Sequence, residues 1–116
     1  MRIVTRPDFD GIACAVILLE AENITDKTLW VEPSEIQKNL IDICKGDILA
    51  NLPYHNNCSL WFDHHYTNQI GEKVPGAFEI APSAAGVVYK HYKKKLGSRF
   101  DELIIQADKI DASVVF

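Results

Sequence analysis

At 116 residues, with 47% apolar and 24% charged side chains, the chain suits one globular domain around a single core rather than a disordered segment. Its formal charge of −4, with the only basic cluster at Lys93-Lys94-Lys95, speaks against a protein held to long duplex nucleic acid by bulk electrostatics. An acidic chain still binds phosphate where metal cations carry the positive charge. Cys14, Cys44 and Cys58 lie in or beside apolar segments, outside any CxxC spacing, which predicts reduced core thiols and a cytoplasmic protein. The chain enters a strand pattern at once, with no signal-peptide pattern, and its longest apolar run, 12–19, is too short to span a bilayer.

Arg2 to Thr5 reads as a short strand that Pro7 ends. Asp10-Gly11 then opens a helix over IACAVILLEAE, with Asp10 expected as its N-cap and an apolar first half expected to be buried on a sheet. Thr28 to Val31 is a second strand. Pro33-Ser34 with Gln37 resembles a capping box, and Ile36, Leu40, Ile41 and Cys44 keep a helical period until Gly46. Asp47 to Ala50 forms the third strand, and a loop from Asn51 to Asn57 leads to a fourth, Ser59 to Phe62. A short strand at Ala77 to Ile80 follows. Ser83 caps a helix through about Leu96, stopped by Gly97, and Ser98 with Asp101 starts the last helix. The end, Ser113-Val114-Val115-Phe116, is an uncapped apolar tail, which predicts a fragment of a longer chain or, in the alternative, one member of a swapped homo-oligomer.

Strands alternating with helices predict a doubly wound, mainly parallel α/β sheet, in which ligands sit beyond the carboxyl ends of strands. Asp8, Asp10, Asn51, Asp63, His64 and His65 all fall at such ends. An acid and two imidazoles directly after the apolar run Ser59-Leu60-Trp61-Phe62 are poorly explained by packing, because buried charge needs a partner or a metal. Adjacent histidines on a strand face opposite ways, yet where a strand becomes a loop both rings can turn to one side. Oxygen and imidazole donors suit Mn²⁺, Mg²⁺, Fe²⁺ or Zn²⁺, and no thiolate set is present for a structural zinc. Trp30 and Trp61, both in strands, are expected in the core.

The chain resembles the DHH phosphoesterases in three stretches. TRPDFDGIACAVILL is similar to their first motif, Asp63-His64-His65 to the triplet that names them, and PSAAGVVYKHY with the later ADKID to the segments that follow. Of that family, the exopolyphosphatase-like and oligoribonuclease-related members are the most similar. The resemblance implies up to two divalent cations, Mn²⁺ first and Mg²⁺ as the alternative, activating water against a phosphodiester or phosphoanhydride. The substrate class so implied is a short oligonucleotide, a dinucleotide or polyphosphate, with no membrane partner. It also implies Asp8 on one cation and Asp10 on the other, His64 as a ligand with Asp63 behind it, and His65 toward the substrate phosphate. Asp108 is preferred to Asp111 as the last ligand. The resemblance also implies a C-terminal substrate-binding domain, which is expected to be absent from this chain or supplied by a partner.

Two positions depart from the family pattern. Arg6 stands where a histidine is usual, and reads as a solvated side chain or as a bidentate phosphate clamp. Asn51 stands where an aspartate bridging both metals is usual, with His55 a replacement ligand by proximity. These substitutions favour a second reading, a catalytically impaired nucleotide- or phosphate-binding or regulatory domain. A purely structural module is the third. His91, on a lysine-rich helix face, is expected to be solvated.

Overall fold

Arg2–Thr5 (β1) and Asp47–Ala50 (β3) run side by side in parallel, Ile3 opposite Ile48 and Thr5 opposite Ala50. The structure is a computed structural model that describes residues 1–112; the apolar tail lies outside the described residues. Leu29–Trp30 (β2) flanks β1, while β3 leads outward to Leu60–Asp63 (β4) and Gly76–Phe78 (β5). All neighbours are parallel and the order is β2-β1-β3-β4-β5, so the expected α/β sheet is present. The chain leaves β1 toward β2 on one side and later returns to β3 on the other. This reversal opens a crevice at the carboxyl ends of β1 and β3, where such sheets bind ligands.

The helices are Phe9–Ala21 (α1), Pro33–Gln37 (α2), Ala84–His91 (α3), Lys93–Leu96 (α4) and Asp101–Ala112 (α5). Strand residues alternate between two cores. Ile3, Ile48 and Phe62 pack with α1 and α3, whereas Val4, Leu49 and Trp61 pack with Val31, Ile36, Ile43 and Leu52 on the opposite face. No described helix is long and apolar enough to cross a membrane.

Several local expectations need correction. The second helix ends at Gln37 because Asn39 takes a left-handed conformation (φ 55°). Leu40 N–H then donates to Glu35 O and Asn39 N–H to Ile36 O, the paired bonds that close a helix. Glu35, not Gln37, reaches back to the start of that helix, accepting the Glu32 N–H. The helix after Ser83 breaks at Tyr92 into α3 and α4. Trp61 is core, but Trp30 is 46% exposed because β2 is an edge strand. Ile12, Val16 and Leu19 form an exposed stripe on α1. Of the thiols only Cys14 is buried; Cys44 is exposed.

Candidate metal and phosphate site

The opening loop places two carboxylates differently. Asp8 is extended (φ −121°, ψ 177°) and accepts the Gly11 N–H at 2.8 Å, so Asp8, not Asp10, caps α1. A Cβ on Gly11 would sit 1.8 Å from the Arg6 carbonyl oxygen, so glycine alone lets the helix begin this close to the strand end. Asp10 falls in the first helical turn and reaches across to α3, accepting the Ala84 and Ala85 N–H groups at 2.9 and 2.8 Å. These are orphan donors of a helix start, satisfied here by an acid from another helix.

Asp63 is the fully buried last residue of β4. Its two oxygens accept from His65 Nδ1 and from Asn68 Nδ2, each at 2.7 Å. His64 Nδ1 lies 2.8 Å from the Ala81 carbonyl oxygen. A carbonyl only accepts, so Nδ1 carries the hydrogen, and in its neutral form the ring presents a lone pair at Nε2. That atom has no hydrogen-bond partner, although His64 is only 8% exposed. It lies 3.4 Å from Asp10 Oδ2 and 3.3 Å from Asp111 Oδ2.

A lone pair facing two carboxylates is repulsive until a proton or cation enters. The separations exceed the roughly 2.7–2.9 Å of a charge-assisted hydrogen bond. They match donors sharing one ion at about 2.1 Å each. Asp10, His64 and Asp111 thus form a group that could hold a metal, and Asp63, His64 and His65 form the other such group among the described residues. In the latter both Asp63 oxygens are already engaged, so it is the weaker candidate.

Burial pushes the Asp10 carboxyl up to about 6, against the two α3 amides that pull it down. Burial likewise raises Asp111, opposed by His64. The hydrogen bond that His65 Nδ1 donates to Asp63 raises the His65 imidazole, favouring imidazolium.

Asp10 and His64, from the opening loop and from mid-chain, are brought into one cluster. The His64 and His65 rings lie 4.3 Å apart, on one side of the sheet end, because the strand stops at Asp63. Of the two acids considered for the last ligand, Asp108 Oδ1 accepts from Ser83 Oγ at 2.5 Å, while Asp111, one turn on, faces His64. Asn51, left-handed at φ 60° and buried, donates to Asp8 Oδ1 at 3.1 Å and leaves its own Oδ1 unpartnered. Arg6 is not simply solvated: its Nε lies 3.7 Å from Asp8 and 3.5 Å from Glu32. His55 Nδ1 accepts from Asn57 N within its own loop, its Nε2 faces Asn39 just past α2, and it joins neither group. His91 is exposed, with its ring against Phe62.

Sequence reasoning missed the supports, Asn68 behind Asp63 and Ala81 behind His64. The second had a signal in Pro82, since a residue before proline is held extended and its carbonyl stays clear of the helix.

No family model matches the chain, and neither does any curated protein. Among solved structures, the pGpG-specific phosphodiesterase PggH from Vibrio cholerae superposes with a TM-score of 0.80 and 40% sequence identity, over 98% of this chain. The chain is similar to a phosphodiesterase. It spans 38% of that protein's length. The likeness takes in nearly the whole sheet and its helices, and so agrees with the α/β fold described above.

Proposed function

We propose that this chain is a metal-dependent phosphoesterase module of the DHH type, acting on a phosphodiester or phosphoanhydride in a small substrate. The observation that carries the proposal is the buried, unpartnered His64 Nε2 between Asp10 and Asp111. Similarity to a pGpG-specific phosphodiesterase supports a dinucleotide as the first substrate to try. A single compact domain without a basic stripe is consistent with a short substrate.

Asp10, His64 and Asp111 would hold a divalent cation, Mn²⁺ first, and the remaining residues prepare the site around it. A cation so held supplies Lewis-acid activation of water and offsets charge on the phosphoryl oxygens. Ala81 fixes the His64 tautomer, and the α3 amides fix Asp10, so two donors stand oriented before any ligand arrives. Asp111, near the end of α5 and partly exposed, is the adjustable donor. Asp63, held by Asn68, favours the imidazolium form of His65, whose Nε2–H would then donate to a phosphoryl oxygen. Arg6, beside Asp8 at the crevice edge, would contact a phosphate.

The test is Mn²⁺-dependent hydrolysis of pGpG and of an activated phosphodiester by the purified chain and by His64→Ala. Turnover in the parent and its loss in the variant is expected; equal rates would end the proposal. The replacements at Arg6 and Asn51 favour a second reading, a phosphate- or nucleotide-binding domain without turnover. It predicts that pGpG binds and is recovered intact.

A further inference from the structure

Resting on the cation-and-phosphate reading above, the crevice divides into two unlike halves. In one, His64 Nε2 is buried, unpartnered and aimed between Asp10 and Asp111. In the other, Asp8 is committed. Its Oδ1 accepts both the Gly11 N–H and Asn51 Nδ2, and its Oδ2 faces Arg6 Nε. Asp8 joins neither of the two potential ligand groups among the described residues. Asn51 offers only a neutral amide oxygen, which accepts an N–H or a water as readily as it meets an ion.

We infer that the site takes one divalent cation, at Asp10, His64 and Asp111, and that the Arg6 guanidinium is the fixed cation of the other half. Before substrate arrives, Arg6 is spread between Asp8 and Glu32 at distances too long for tight pairs. A phosphate offers the planar fork of donors a better-matched partner than either carboxylate in its present place. A second divalent ion at Asp8 would meet a permanent like charge and one carboxylate whose near oxygen already accepts two hydrogen bonds. The division of labour is then one metal for water and one guanidinium for the phosphate. The consequence is a count that differs from the two ions implied by the family resemblance.

Calorimetric titration of the chain with Mn²⁺ reads that count directly. One ion per chain is expected, with the uncoupled hyperfine spectrum of an isolated Mn²⁺ in electron paramagnetic resonance. Two ions would overturn the inference while leaving the cation reading intact, and none would overturn both. The single event should vanish in His64→Ala and persist in Asp8→Asn; the opposite pattern would overturn the assignment. Circular dichroism on each variant separates site loss from misfolding, and the parent count stands without either variant. In the Mn²⁺-loaded protein, Arg6→Ala should weaken inorganic phosphate binding at least tenfold with the ion count unchanged. Unaltered phosphate affinity would remove Arg6 from the role. The double variant Arg6→His with Asn51→Asp should gain a second ion and an exchange-coupled spectrum. A count fixed at one there would show that these two residues do not set it.

Discussion

The two ends of the parallel sheet treat buried polar groups in opposite ways. At the amino ends, Asp47 is buried and fully answered: Arg2 grips it with Nε and Nη2 at 2.9 and 2.6 Å, and Cys44 N–H donates at 2.9 Å. At the carboxyl ends, His64 Nε2 and Asn51 Oδ1 are buried with no partner. Buried polar groups are normally paired, so unpaired ones at a ligand-binding edge mark where something else is meant to sit. On the proposed reading, among the described residues, the structural end leaves no such buried atom unpaired and the working end leaves two.

The sharpest way to break that contrast is to remove one group from each end. His64→Ala should cut Mn²⁺ affinity and metal-dependent turnover by more than about a hundredfold, beyond the loss seen when only a ligand's outer support is removed. Its unfolding free energy should shift by no more than about 1 kcal/mol, since one carbonyl contact is lost and an orphaned nitrogen goes with it. Asp47→Ala should reverse the pattern, costing about 3 kcal/mol in urea unfolding by breaking a buried pair, with Mn²⁺ affinity retained. A large stability loss in His64→Ala with unaltered metal binding would merge the two ends into one structural category.

Acidity sharpens the same contrast. The Asp10 carboxyl, raised to about 6 by burial, holds its proton in the folded state between its ordinary range of about 4 and about 6. More protons bound by the folded form means that this group's contribution to stability is greatest at the acid end and declines as pH rises through that window. A cation must displace the proton, so Mn²⁺ affinity should climb by up to about tenfold per pH unit below 6 and then level. Titrations from about pH 5 to about pH 7 check this, and a flat profile would take Asp10 out of the ligand set.

The smallest effects separate two acids one helical turn apart. Asp111→Asn should weaken Mn²⁺ binding about tenfold, a cost near that of one outer partner. Asp108→Asn should leave the metal untouched and cost about 1 kcal/mol through the Ser83 contact. Interchanged results in the two variants would restore Asp108 as the site residue.

The pair of acids also shows how far the sequence could be read. Residues 108 and 111 of ADKID are i and i+3 on a helix, so both lie on neighbouring parts of one face. Which one meets His64 depends on where α3 places Ser83, a contact 25 residues distant. Asp8 and Asp10 pose the same problem at the first helix: either acid could cap it, and only the position of the α3 amides gives Asp10 another task. The short second helix was hidden because an apolar period continues past Asn39 while the backbone does not. Trp30 looked like core because β-branched and aromatic composition marks a strand without marking its place in the sheet.

By itself the chain's pattern of short apolar runs, caps and stops determined a parallel α/β sheet with acids and imidazoles gathered at its carboxyl ends, because hydrophobic period and strand-end position are local properties. Only the tertiary structure decided which oxygen faces which nitrogen. Hydrogen-bond satisfaction is settled over a few ångströms by elements far apart in sequence, and no local pattern records whether His64 Nε2 finds a partner.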